Sequence, residues 1–289
     1  MDLLKKTVEF FIYSNVFVSF CVLALCQSTS IVIQANSSQL LPFVFFSTLF
    51  AYNFQRLVRF SPDKKQSAHI DWLNKNRMLI VIVTVFSLFL SFYFAVSLSF
   101  SAFYFIIPAS IISLAYPLKI IPLGSQKISL RELPRAKIYL IALVWSMVSV
   151  ILVTLENGSF YSFDTLLLFL SRFSFVLAIT IPFDIRDLKY DDISLKTLPQ
   201  IFGEKKAKMI ALYCLAIFEL ISIFHFFVSD FSLSVLIALL LTSVLTAILI
   251  TKSSQEKHNF FFSFWIEGAS ILMLLLLFII PLAFGIFVP

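Results

Sequence analysis

Asp184-Ile-Arg-Asp187-Leu-Lys-Tyr-Asp191-Asp192 closes an apolar stretch that begins near residue 163, and Lys196-Thr-Leu-Pro199 and Gly203-Glu-Lys-Lys-Ala207 follow it. The segment holds four of the chain's 16 acidic residues. Carboxylates at positions i, i+3 and i+7 share one face of a helix, so Asp184, Asp187 and Asp191 are placed to meet one cation, or a cation already bound to phosphate. The same spacing suits a solvated interfacial helix whose aspartates pair with nearby lysines and arginines. Spacing alone leaves both readings open.

The rest of the chain fixes the solvent. Hydrophobic residues make up 60% of the sequence, charged residues 13%, and 36 positions are Phe, with a mean hydropathy of +0.98. Such a composition lies outside the range of soluble domains and describes an integral membrane protein. A helix needs about 20 apolar residues to cross the hydrocarbon core. Nine such runs can be drawn, at 8–33, 39–59, 78–98, 101–118, 137–155, 163–183, 208–228, 231–250 and 262–287. The expected fold is all-α, a bundle of nine transmembrane helices in a single domain over 1–289. Between the third and fourth runs the division requires that Pro108 not end a helix.

Charge placement supports the count, because short cytoplasmic loops are enriched in Lys and Arg. Lys5 and Lys6 precede the first run; Arg56, Arg59, Lys64, Lys65, Lys75 and Arg77 separate the second and third; Lys119, Lys127, Arg131, Arg135 and Lys137 separate the fourth and fifth. Arg186, Lys189, Lys196, Lys205, Lys206 and Lys208 follow the sixth, and Lys252 and Lys257 the eighth. The alternate loops carry only Glu156, Asp164 and Asp230. The N-terminus is therefore expected in the cytoplasm and the C-terminus outside, most simply in a bacterial cytoplasmic membrane. The net charge of +6 follows from topology and calls for no nucleic-acid partner.

Several chemistries find no support. The apolar start runs into a full-length span without a small-x-small site, so no cleaved leader is expected; before Cys26, Leu25 is too large for a lipoprotein box. Cys21, Cys26 and Cys214 lack metal-ligand spacing and read as core residues, and His69, His225 and His258 as loop or packing residues. There is no GxGxxG, no Walker loop and no Ser-His-Asp arrangement. With five glycines, close helix contacts are left to Ser, Ala and Thr. Polar residues collect instead in the loops after the second, fourth and sixth runs. Pro182 is expected to disrupt the sixth helix and re-aim the turn carrying Asp184 and Asp187. Magnesium binds through one or two carboxylates and is completed by water and substrate phosphate, which suits this acidic face.

Asp184-x-x-Asp187-x-x-x-Asp191 with the Lys196-Thr-Leu-Pro and Gly203-Glu-Lys-Lys-Ala segments resembles the second aspartate-rich motif of the UbiA superfamily of intramembrane prenyltransferases. Tyr116-Pro-Leu-Lys119 is similar to a shortened Tyr/Lys element of that family. The resemblance covers essentially the whole chain. It implies nine transmembrane helices, cytoplasmic aspartate-rich motifs after the second and sixth, and two magnesium ions bridging a prenyl diphosphate. By carry-over, Asp184 and Asp187 are the expected catalytic residues. Asp184, Asp187, Asp191 and Asn53 are the expected metal ligands. Asn53, Arg56, Arg59, Tyr116, Lys119, Arg131 and Arg135 are the expected substrate contacts.

The departure lies in the first motif, Asn-Asp-x-x-Asp in the family. Here the chain reads Asn53-Phe54-Gln55-Arg56-Leu57, with Ser61 beyond. Only the Asn is kept. Arg56 or Arg59 offers electrostatic replacement, because guanidinium binds diphosphate bidentately and stays charged. For an active chain the resemblance implies that magnesium polarises the diphosphate, which leaves an allylic cation shielded by apolar helices until a lipophilic acceptor attacks it. Membrane lipid surrounds the bundle. Lys119, Arg131 and Arg135 would also serve simply as positive-inside residues, and the abundant Phe as lipid-facing and core filling.

Arg172 lies about half way along the sixth run, where a charge costs about 2.5 to 3.5 kcal/mol on insertion scales. It is expected to face the bundle, with Glu267 or a polar cavity group as partner. Three function classes remain: an active magnesium-dependent prenyltransferase; an inactive isoprenoid- or lipid-binding protein of the same fold, favoured by Phe54 and Leu57 at the aspartate positions; and a transporter, favoured only by Arg172 and the acidic cluster.

Overall fold

The computed structural model describes residues 2–59, 68–123, 126–229 and 232–285. Ser61, Lys64, Lys65 and Asp230 lie outside the described residues, as do the side chains of Lys5, Lys6 and His69. Helices occupy each of the nine apolar stretches. In chain order they are α1 (Asp2–Tyr13) with α2 (Val16–Val32), α3 (Leu40–Val58), α5 (Arg77–Ala95), α6 (Phe103–Ala115), α7 (Ala136–Ser146) with α8 (Leu152–Glu156), α9 (Phe163–Asp187), α10 (Leu198–Val228), α11 (Leu233–Lys252) and α12 (Ala269–Ala283). A short α4 (Ala68–Lys75) precedes α5. Six stretches are individually long and apolar enough to cross a membrane, and α1 with α2 adds a seventh when its bent halves are taken together. The chain is an all-α, multi-pass membrane protein.

Helices are the expected solution because backbone polar groups find no water in hydrocarbon and must bond within the segment. α9 is the axis of the fold, packed between α7 and α10, while α2 lies against α3 and α12, and α3 against α5. Close approach relies on small residues. Ala178 of α9 and Ala207 and Ala211 of α10 are fully buried, the last two forming a small-xxx-small step. Buried hydroxyls return their hydrogen bonds to their own helices, as Ser28 Oγ does to the Ala24 carbonyl at 2.7 Å and Thr180 Oγ1 to that of Val176 at 2.6 Å.

Four features differ from the sequence expectation. The first stretch is bent by 65° between α1 and α2, where Asn15 adopts a left-handed conformation, φ 64°. Pro182 does not disrupt α9, which runs unbroken to Asp187. The proline forfeits one i→i−4 bond, and packing against α7 and α10 lets the helix continue through that loss. Asp191 thus lies beyond the helix, in a turn where its backbone N–H still reaches the Asp187 carbonyl at 2.8 Å. The loop after α6 forms a two-stranded antiparallel hairpin, β1 (Ile121–Leu123) with β2 (Gln126–Ile128), in an otherwise helical molecule. As expected, Pro108 sits inside α6 without ending it.

α10 begins ten residues earlier than hydropathy suggests and contains a kink at Gly203, φ 79°, ψ 163°. Only glycine adopts that region readily. An added Cβ would meet nothing within 4 Å, so backbone strain alone opposes substitution. Gly203→Ala is expected to destabilise the protein by about 1 to 3 kcal/mol, read as a lowered thermal midpoint in detergent; an unchanged midpoint would show that the kink is not required.

Candidate functional site

The aspartates at the end of α9 converge on one side chain. Lys137, in the first turn of α7 and 8% exposed, places its Nζ 2.7 Å from Asp184 Oδ1, 3.2 Å from Asp191 Oδ2 and 3.6 Å from Asp187 Oδ2. Two arginines complete the cluster. Arg186 donates through Nε to Asp187 Oδ1 at 2.7 Å and through Nη2 to Oδ2 at 3.1 Å, its guanidinium over the rings of Phe183 and Phe262 at 5.0 and 5.8 Å. Arg131 Nη2 stands 3.6 Å from Asp191 Oδ1. Three carboxylates thus face three cations.

The Lys196-Thr-Leu-Pro segment has a scaffolding part. Gln200, in the first turn of α10, accepts the Thr197 N–H at 2.9 Å and donates to the carbonyls of Asp191 and Asp192 at 3.3 and 3.0 Å, fixing the acidic turn. Asp192 points outward; its carboxylate accepts the Ser194 N–H at 2.8 Å, which holds it below the usual carboxylate range.

The α3 residues serve the helix break. Ending α1 and bending the chain leaves the carbonyls of Tyr13 and Ser14 without helical partners. Arg56 Nη1 donates to the Tyr13 carbonyl, and Asn53 Nδ2 to that of Ser14 at 3.0 Å. Asn15 then donates to Asn53 Oδ1 at 2.8 Å and accepts from Arg56 Nη2 at 2.6 Å. Asn53 and Arg56, one turn apart on one face of α3, are therefore a clamp on α1 and α2. Phe54 packs on Phe50, ring centroids 5.8 Å apart.

A cavity of about 2120 Å³ joins these parts. Arg56, Arg59, Tyr116, Lys119, Arg131, Lys137, Asp187 and Asp191 line it. Asp184 and Arg135 line a separate small void behind Lys137, and Asn53 lines neither. Across the whole lining, eight basic side chains stand against five acidic ones, so its polar part is cationic, while its walls from α3, α5, α6 and α7 are apolar and aromatic. Trp145 donates to the Tyr52 hydroxyl across it at 3.0 Å.

The arrangement has structural relatives. A UbiA homologue from Archaeoglobus fulgidus bound to GPP and Mg2+ matches with a TM-score of 0.68 at 14% identity, over 94% of this chain and 99% of that one. The chain has the UbiA fold. Digeranylgeranylglyceryl phosphate synthase matches with a TM-score of 0.58 at 15% identity, over 98% of this chain and 100% of that one. A UbiA homologue from Aeropyrum pernix K1 gives 0.54 at 14%, over 96% and 97%. No protein-family model and no curated protein matches the sequence.

Within the UbiA fold, the four residues expected to hold magnesium already have other partners. Asp184, Asp187 and Asp191 surround Lys137, and the Asn53 carbonyl oxygen accepts from Asn15. Among the described residues no three His, Cys, Asp or Glu side chains are grouped to hold a metal ion. A divalent ion would have to displace Lys137 to reach the carboxylates, so the residues as arranged do not fit it.

Arg172 does face the bundle, but not Glu267. Its Nη1 approaches Met273 Sδ at 3.0 Å and its Nη2 donates to Thr29 Oγ1 at 3.2 Å, while Nε has no partner. Glu267 instead lines the cavity with Arg56 and Arg186. At the opposite end of α9, Asp164 bonds His225 Nε2 at 3.0 Å and Ser229 Oγ, tying α9 to α10.

Two outcomes are expected. Asn53→Ala removes partners of two buried polar groups and should destabilise the protein by on the order of 2 kcal/mol or more, measured by denaturant titration in detergent. Arg172→Met exchanges a cation with no carboxylate partner for an apolar side chain of similar length, and should be neutral or stabilising by about 1 to 4 kcal/mol in the same assay.

Proposed function

We propose that the chain is an intramembrane prenyltransferase-like protein, folded as one helical domain over 1–289, that binds a prenyl diphosphate and transfers its prenyl group to a lipophilic acceptor. The observation that carries this is the cavity, cationic in its polar part and apolar along its walls, in a chain with the UbiA fold. GPP and Mg2+ occupy one homologue of that fold. The positive-inside bias supports a cytoplasmic position for the aspartate end.

The chain's own residues supply binding, orientation and charge. Arg131 and Lys119, with Arg56 and Arg59 across the cavity, are the proposed partners of the diphosphate, guanidinium being suited to bidentate phosphate contact. Asp187 and Asp191 orient Arg186, Lys137 and Arg131, and Asp184 holds Lys137 from behind. When the bond between the allylic carbon and the diphosphate oxygen breaks, its electron pair leaves with the diphosphate, and these fixed cations meet the developing charge. The allylic cation remains among apolar side chains, where water is scarce, until a nucleophilic atom of the acceptor bonds to it. Magnesium would have its oxygen donors here only if Lys137 yielded them.

A second reading, an isoprenoid-binding protein without turnover, is favoured by the absence of any carboxylate in the α3 segment Asn53–Leu57.

Purified protein incubated with a series of prenyl diphosphates, with and without membrane extract, should release diphosphate. Asp184→Asn and Asp187→Asn should each slow that release roughly a hundredfold, the scale for losing a preorganised charge contact. Unchanged release in both variants rejects the transferase reading, and binding without release under every condition selects the binding protein.

A further inference from the structure

We propose that the ammonium of Lys137 is the resident cation of the aspartate cluster, standing where a divalent ion would be held and presenting its charge to the anionic headgroup. The headgroup part rests on the prenyl diphosphate reading above; occupancy of the cluster does not.

Geometry comes first. All three carboxylates of the motif reach the same nitrogen, at 2.7, 3.2 and 3.6 Å. Lys137 also forms part of the wall of the large cavity beside Asp187 and Asp191. A lysine serving only to pin α7 to α9 would be sealed from that space. An ammonium carries three donors, and Asp184 and Asp191, at 2.7 and 3.2 Å, engage two of them, while Asp187 at 3.6 Å lies beyond hydrogen-bond distance. The Asp184 contact, at 2.7 Å, is the shortest of the three. The donor facing Asp187 is therefore the one for which an anionic oxygen entering from the cavity would compete.

Charge points the same way. With Lys137, Arg131 and Arg186 in place the three carboxylates are balanced. Without Lys137 they would face two arginines, leaving a net negative, oxygen-rich pocket of the kind hard divalent ions select. Across the cavity, α3 offers Arg56 and no carboxylate. Tethered cations thus stand on both sides of the space.

The test uses the full chain in lipid nanodiscs. Mn2+ alone is titrated by electron paramagnetic resonance, and binding of geranylgeranyl diphosphate is measured in EDTA and in magnesium. The wild type should take up no Mn2+ at the cluster and bind the diphosphate about equally with and without divalent ions. Lys137→Met should gain one Mn2+ site, lost again on adding Asp184→Asn. Its diphosphate binding should weaken in EDTA by about tenfold or more, the scale of one charge-assisted contact, and recover in magnesium. Lys137→Arg should keep the wild-type indifference to EDTA. The proposal is overturned if the wild type itself takes up Mn2+ at a site that Asp184→Asn abolishes, or if its diphosphate binding collapses in EDTA; both measurements stand even where Lys137→Met does not fold. A folded Lys137→Met with no Mn2+ site overturns it as well. Gain of the Mn2+ site without diphosphate binding by any form leaves Lys137 as the cluster's cation and removes the prenyl diphosphate reading.

Discussion

A lysine ammonium enclosed by three aspartates joins the parts of this molecule that bear on its chemistry. Lys137 opens α7, Asp184 and Asp187 close α9, and Asp191 lies in the turn leading to α10. Each of these charges alone would be expensive at the edge of an apolar bundle, and none is expendable once the others are there, because removing one partner leaves another uncompensated. The cluster therefore fixes the relative height of α7 and α9 and sets the position of Arg131 and Arg186 at the cavity wall. Gln200 extends the same constraint to α10 through the carbonyls of Asp191 and Asp192.

The other wall is governed by a different necessity. A break between α1 and α2 leaves carbonyl groups without helical partners in a largely apolar bundle. Asn53 and Arg56 meet that demand, and Asn15 closes the network between them. Asn53 and Arg56 are thus committed largely to architecture. Their presence beside Phe54 and Leu57 needs no metal to explain it, although Arg56 still reaches the cavity.

Much of this was legible in the sequence, for physical reasons. Apolar length announced the helices because bilayer thickness is fixed, and the i, i+3, i+7 spacing brought the aspartates together even though α9 ends at Asp187, since one further turn keeps the helical bond to Asp191. What pairing would do was not legible. Lys137 reads as one more positive-inside lysine because hydropathy ranks residues singly and says nothing of which acid meets which base. Its one distinguishing signal is its place at the very start of an apolar run, a turn deeper than a solvated loop lysine needs to be. Pro182 was misleading for a related cause: a proline breaks a helix only where nothing else holds it, and α7 and α10 hold this one. The bend at Asn15 was hidden because the donors that satisfy its freed carbonyls lie on α3, 39 and 43 residues away.

A tethered cation differs from an exchangeable one in what happens after the bond breaks. A metal ion can depart with the diphosphate it has neutralised, carrying away charge on both sides of the contact. On the proposed reading, an ammonium on the first turn of α7 cannot leave, so a diphosphate product would give up each charge-assisted contact in turn, and its release would be the step most exposed to ionic strength. The three aspartates temper that retention. By sharing the ammonium among themselves they lower the field it presents to the cavity, so the headgroup competes with carboxylates for the same donors. On that reading the balance between three acids and three bases at the end of α9 would set both how tightly an anionic headgroup is held and how readily it is surrendered, without any change in the fold around it.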